Sequence, residues 1–176
     1  MVVKAQDRYD SLIEYYAQFH NCDADLLKAQ LMAESSMQPR AESPVGAVGL
    51  GQFMPATWRE WGEGHRDNPE QSIIAACKYM RHLYSRYAEI PDKAERWKFA
   101  MAAYNAGRGN VNKALYLART AEGQPSSFAD WKRSGSPAGA WQTWEVTSGF
   151  LVHITGENHA PETLGYVKRI MEDVAI

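Results

Sequence analysis

A mainly α-helical single domain is what this sequence predicts, and three observations carry the prediction. Apolar residues recur at three- and four-residue steps through most of the chain, helix-starting residues stand just before those runs, and one short stretch alone reads as strand. The 176 residues amount to one domain, 1–176, with 45% apolar content for a core and too few charged residues (23%) for a disordered chain.

Tyr9, Leu12, Ile13, Tyr16 and Phe19 form the apolar stripe of a first helix ending near His20. Asp23 is placed to cap the next, which carries Leu26, Leu27, Leu31 and Met32 to about Ser36, with Pro39 as its stop. The run from Ser43 to Gly51 holds three glycines and predicts a tight loop of close backbone approach. A short helix from Gln52 toward Trp61 follows, interrupted by Pro55. Asn68-Pro69 pairs a cap with a proline at the first helical position, opening a helix with Ile73, Ile74, Cys77, Met80, Leu83, Tyr84 and Tyr87. Glu95 to Asn105 is a further helix terminated by Gly107-Arg-Gly109, Asn110 to Ala118 another, and Pro161 opens the last, ending near Asp173. The segment from Gly123 to Ala160 is rich in Gly, Ser and Pro. Within it, Trp144–Thr147 and Phe150–Ile154 around Ser148-Gly149 read as a small β-hairpin near 144–154, and the whole segment as a lid or cleft wall.

Nineteen basic against 21 acidic residues leave a net charge of −2, which argues against a general nucleic-acid binder. No apolar run approaches the roughly 20 residues that span a bilayer, and no strongly cationic amphipathic end suggests unaided membrane insertion. The first ten residues turn polar at once, without the apolar core of a secretion signal. The two cysteines, Cys22 and Cys77, stand in helical surroundings and read as inert thiols. The five histidines show no ligand spacing, so neither a metal nor another cofactor is expected, and a monomer is the default.

Glu34 is the leading catalytic candidate. Leu31, Gln30 and Leu27 lie three, four and seven positions earlier on the same helix face, so this carboxyl finishes an apolar stripe. Partial desolvation favours the protonated state in which a general acid must start. The ordinary reading of a glutamate at a helix end is a solvated charge, and position alone does not displace it.

Four ordered blocks do. Glu34-Ser35-Ser36 precedes Val45-Gly46-Ala47-Val48-Gly49-Leu50-Gly51-Gln52-Phe53-Met54-Pro55, then Ala103-Tyr104-Asn105-Ala106-Gly107, then Glu162-Thr163-Leu164-Gly165-Tyr166-Val167. In this order they resemble the soluble lytic transglycosylases, whose fold is goose-type-lysozyme-like, over about Leu26 to Ile170. The resemblance implies a lysozyme-like helical domain around a substrate cleft. It makes Glu34 the single acid/base, with Ser35 beside it. Gln52 and Phe53 would line the saccharide sites, Tyr104 and Asn105 would contact sugar at the cleavage point, and Tyr166 would hydrogen-bond near the Glu34 carboxyl. Glu162 would hold the last helix and its polar neighbours. Gly51 departs from the methionine of many members, and the family pattern gives no guide to the segment from Gly123 to Ala160. Read without the resemblance, Tyr104 and Tyr166 are ordinary core tyrosines and Glu162 a first-turn helix charge.

The implied activity is cleavage of the β-1,4 bond between N-acetylmuramic acid and N-acetylglucosamine in peptidoglycan strands, leaving 1,6-anhydromuramyl ends. A lysozyme-like hydrolase would need a second carboxylate, such as Glu145, Glu157 or an aspartate of the long segment. A wall-binding or virion structural module is the non-catalytic alternative. A short chain lacking a signal looks like a phage or prophage endolysin, made in the host cytoplasm and reaching the cell wall after holin-type release. A virion-associated lysin or a secretion-system enzyme are the other settings. Trp58 and Trp61 read as core, whereas Trp131, Trp141 and Trp144 are candidate platforms for pyranose faces.

Overall fold

Helix starts and stops follow local chemistry in the computed structural model, which describes residues 4–123, Asp130, Arg133 and 139–174. The chain divides into two compact units, residues 1–82 with 169–175 and residues 83–168 with 176. Among the described residues there is no β-strand, only two isolated antiparallel bridges, Glu42 with Val48 and Val48 with Phe53.

The first unit begins with α1 (Asp10–Phe19) and α2 (Ala24–Ser35), which pack together and bury Ile13 and Ala17 of the one and Leu26, Leu27 and Leu31 of the other. Asp23 caps α2 by accepting from the Leu26 amide at 3.0 Å. Lys28 donates to Asp7 at 2.9 Å and to Asp10 at 2.8 Å, fastening α2 to the start of the chain. Ser36 (φ 53°) and Met37 (φ 59°) end α2 in the left-handed region, ahead of Pro39. Short α3 (Pro55–Trp61) starts at its proline, because that ring has no amide hydrogen to donate and suits a first helical position. Asn68 caps α4 (Pro69–Arg86) by accepting from the Gln71 amide at 3.0 Å.

The second unit carries α5 (Lys93–Ala106), capped by Asp92, and α6 (Arg108–Ala121), which pack together and bury Phe99 and Ala103 of the one and Val111 and Ala118 of the other. A 3₁₀ turn at Ala140–Gln142 leads into α7 (Trp144–Asp173), broken at Gly156, where φ 83° and ψ 168° are not helical. The expected hairpin near 144–154 is therefore a helix. Its buried positions, Trp144, Thr147, Ser148 and Leu151, step by three and four, and Ser148 and Thr155 turn their hydroxyls back onto the carbonyls of Glu145 and Leu151. Pro161 lies one turn inside the helix after Gly156 rather than opening it.

Candidate active site

Glu34 occupies the last turn of α2 in the first unit, half-buried, with Leu27, Gln30 and Leu31 on its face all 1% exposed or less. Ser35 beside it is buried and donates its hydroxyl to the Leu31 carbonyl at 3.1 Å, so it secures the helix end. From there a run of hydrogen bonds leads to the next block. The Gln38 amide donates to Ser35 O at 3.1 Å, Ala41 to Gln38 O at 3.1 Å, and Gly49 to Ala41 O at 3.0 Å. Gln52 closes the run, donating Nε2 to the carbonyls of Ala41 and Gly49, both at 3.0 Å.

Two carbonyl partners commit the Gln52 nitrogen, which fixes the orientation of its amide and presents Oε1 as an acceptor. The loop that holds it is tight. A Cβ on Gly49 (φ +88°) would stand 2.0 Å from the Arg66 carbonyl oxygen, while Arg66 Nη1 donates to the carbonyls of Gly46 and Phe53, each at 2.8 Å. Ser72 Oγ accepts from the Gly51 amide at 3.1 Å. Phe53 is a correction to the expected contact set. Its ring is 2% exposed and packs edge-on against Trp58 with centroids 5.4 Å apart, so it anchors the loop rather than facing a ligand.

Tyr104, Asn105, Glu162 and Tyr166 belong to the second unit. Tyr104 and Asn105 are half-buried near the end of α5, and Tyr166 is buried on α7. The structure joins their two motif blocks through a residue the sequence reading passed over. Thr163 donates its hydroxyl to Asn105 Oδ1 at 2.7 Å. Glu162, expected to hold the last helix, is exposed and only 3.9 Å from His159 Nδ1, a pairing that adds little rigidity. A cavity of about 320 Å³ opens here, lined by Asn105, Asn110, Thr155, His159, Glu162 and Thr163. Asn110 donates Nδ2 to the Ala106 carbonyl at 2.8 Å, which turns its Oδ1 the other way. These bonds engage Oδ1 of Asn105 and Nδ2 of Asn110, two residues of the cavity lining, and leave the Asn105 donor and the Asn110 acceptor outside them. Its volume is at the low end of ligand pockets, which run about 300–1,000 Å³.

The tryptophans are also corrected. Trp141 is fully buried under the Arg119 guanidinium, 4.3 Å from its ring, and Trp144 is 7% exposed and edge-on to Phe99. Neither is a sugar platform; Trp131 lies outside the described residues. Arg119 pairs with Glu89 at 3.2 Å, and burial pushes the Glu89 carboxyl above its ordinary range against the opposing pull of that guanidinium. Burial likewise drives the thiol of Cys22 up to about 12 and that of Cys77 upward as well. Among the described residues, no cluster of three or more His, Cys, Asp or Glu side chains could hold a metal, and no helix is long and apolar enough to cross a membrane.

Residues 11–126 match the transglycosylase SLT domain. Membrane-bound lytic murein transglycosylase F of Desulfosudis oleivorans is 34% identical over 161 residues, which cover 92% of this chain and 32% of that protein. The protein of the same name from Shewanella halifaxensis is 38% identical over 126 residues, 71% of this chain and 26% of the relative. This chain therefore spans about a third or less of these relatives. Two solved structures share its fold: an inactive mutant of the Pseudomonas aeruginosa lytic transglycosylase Slt (TM-score 0.61, 19% identity) and the Escherichia coli 70 kDa soluble lytic transglycosylase (TM-score 0.60, 21% identity). Each alignment covers 96% of this chain and 25% of the other. Four ordered motif blocks, a lysozyme-like helical fold and a domain match from 11 to 126 lead to one affiliation: the chain belongs to the transglycosylase SLT domain family.

Proposed function

We propose that this chain is a peptidoglycan lytic transglycosylase with Glu34 as its single acid/base. The observation that carries this reading is the position of Glu34, a half-buried carboxyl at the end of a helix whose underlying face is sealed from water. Glu34 gives its proton to the glycosidic oxygen between N-acetylmuramic acid and N-acetylglucosamine as the C1–O4 bond breaks. The oxocarbenium-like centre left on the muramyl sugar is captured by that sugar's own C6 hydroxyl. Glu34 takes the hydroxyl proton as the C1–O6 bond forms. The proton count closes, no water is consumed, and the product is a 1,6-anhydromuramyl end. One carboxyl serves as acid and then as base because it regains in the second step the proton it gave in the first.

Gln52 Oε1 supports the reading as an acceptor for a sugar hydroxyl. In the second unit, the donor of Asn105 and the acceptor of Asn110 suit the carbonyl and N–H of an acetamido arm, which every sugar of the strand carries. The wall-directed names of the relatives support the substrate. The setting belongs to the same proposal: a phage or prophage lysin that meets peptidoglycan after a holin lesion, so that expression in a Gram-negative host lyses cells with a holin and leaves them intact without one.

Product mass tests the reaction. Digests should contain muropeptides one water lighter than hydrolysis products, and Glu34→Gln should lower their yield at least about 10³-fold with an unchanged melting temperature. Reducing muramic ends would assign the chain to the hydrolases, with an exposed carboxylate such as Glu145 or Glu157 as the candidate second group. Full activity of Glu34→Gln would remove Glu34 from the chemistry.

A further inference from the structure

The side chain of Gln30 is 0% exposed, and neither its Oε1 nor its Nε2 has a hydrogen-bond partner among the described residues. Buried polar groups in folded proteins are nearly always paired, so a wholly unmet amide on a central helix calls for a reason. The helix itself narrows the choice. The four positions that share a face with residue 30 are Leu26, Leu27, Ala33 and Glu34, and only Glu34 carries a polar side chain. Side chains on a helix also lean toward its N-terminus, which carries Glu34 back over the turn that holds Gln30.

We propose that Gln30 is a positioning residue for Glu34, an amide seated beneath the carboxyl to hold it through both halves of the proton cycle. An amide is suited to this in a way no other neutral side chain of its length is. Its Oε1 accepts from the carboxyl O–H before the proton leaves, and its Nε2 donates to the carboxylate afterwards. A charged group in the same place would favour one of the two states. An apolar group would favour the protonated one. Catalytic hydrogen bonds are commonly loose before substrate binds and tighten in the reacting complex, so the proposed bond is one made in the reacting state. The inference rests on Glu34 being the acid/base.

Gln30→Met, which keeps the length of the side chain and deletes both polar atoms, separates positioning from packing. An amide that merely fills the core without partners lowers stability, so its removal should leave the melting temperature at or above that of the parent chain. On soluble glycan strands, kcat per folded molecule should fall about tenfold or more, with KM within about twofold, because the lost interaction acts on the reacting state and not on binding. Gln30→Leu should reproduce this and carries the test if the methionine variant does not fold. A kcat within twofold of the parent in either folded variant overturns the proposal, as does a loss of activity that only tracks the folded fraction. The failure is separable from that of the reaction itself: Glu34→Gln inactive with Gln30→Met fully active removes Gln30 alone, whereas an active Glu34→Gln removes both.

Discussion

Each unit contains a glutamate and a buried glutamine, and the two pairs are treated in opposite ways. In the second unit Gln142 is 4% exposed with its amide wholly engaged, donating to the Glu89 carbonyl at 2.6 Å and accepting from the Gly139 amide at 2.9 Å. Glu89 in turn pairs with Arg119, whose guanidinium covers Trp141. In the first unit Gln30 is fully buried with no partner among the described residues, and Glu34 one turn on is half open to solvent. Bonds at both ends of the Gln142 amide and the Glu89–Arg119 pair make the first arrangement a fastener for the segment leading into α7, although Arg119 Nε is buried without a partner among the described residues. In the second, the unmet amide of Gln30 is what the proposed role beside Glu34 would use. The two glutamine amides thus differ in whether their bonds are already made rather than in burial, and on the proposed reading the unmet one serves the chemistry.

The largest effect is expected from breaking the fastener. Arg119→Met strands a buried carboxyl and should cost about 3–5 kcal/mol at neutral pH, read by urea unfolding. Its pH dependence follows from the direction of the Glu89 shift. The folded chain binds the Glu89 proton more readily than the unfolded one, whose carboxyl is near the ordinary value of 4.5. The associated stability is present below that value and is lost as pH rises through the raised folded one. Removing the guanidinium takes away the influence that opposes the rise, so the window widens. Arg119→Met should recover part of its loss on acidification toward pH 5, and Glu89→Gln should flatten the curve. A loss independent of pH would mean that the pair is not what fastens this segment.

A smaller loss should come from the loop that sets Gln52. Gly49→Ala places a methyl against the Arg66 carbonyl and puts an L-residue at φ +88°, at a cost of about 2–4 kcal/mol. In the first unit this should also displace the Gln52 amide, which shares Gly49 O and Ala41 O as acceptors, and lower kcat/KM beyond the share of unfolded chain. Unchanged turnover in the folded fraction would show that the loop shifts without disturbing the chemistry, and that the first unit is indifferent to how Gln52 is held.

What the sequence made legible is what neighbours along the chain decide. The caps at Asp23 and Asn68 reach three residues ahead, so cap and target are read in one glance, as are Pro55 at a helix start and the glycines of the loop. The placement of Glu34 on a sealed face is equally local, since 27, 30, 31 and 34 define one side of any helix. The helix at Trp144 was illegible for the converse reason. Its first amide is capped by Glu95 Oε2 at 2.6 Å, 49 residues upstream, and Thr147 Oγ1 binds Trp141 O at 2.7 Å across a preceding turn. Val146, Val152 and Ile154 alternate well enough to imitate a strand, and only those distant partners decide against it. The tryptophans misled through their polar flanks, because the arginine and phenylalanine that cover Trp141 and Trp144 come from other helices.

Thr163 marks the boundary between the two treatments, and its removal should give the smallest effect. Its hydroxyl donates to Asn105 Oδ1 at 2.7 Å, so it belongs to a bond already made, yet the bond orients an amide that lines the cavity. Thr163→Val keeps the shape and deletes the donor, at about 1 kcal/mol of stability. If the hydroxyl only fastens α7 to the end of α5, stability falls and kinetics stay as they were. If it also sets which way Asn105 faces, the amide is released to turn over, and KM for glycan strands rises several-fold while kcat stays as it was. The second outcome is expected, because Thr163 is the hydroxyl that the structure pairs with Asn105 Oδ1, and an amide whose ends are chemically opposite but similar in shape keeps its orientation only while a partner selects one of them.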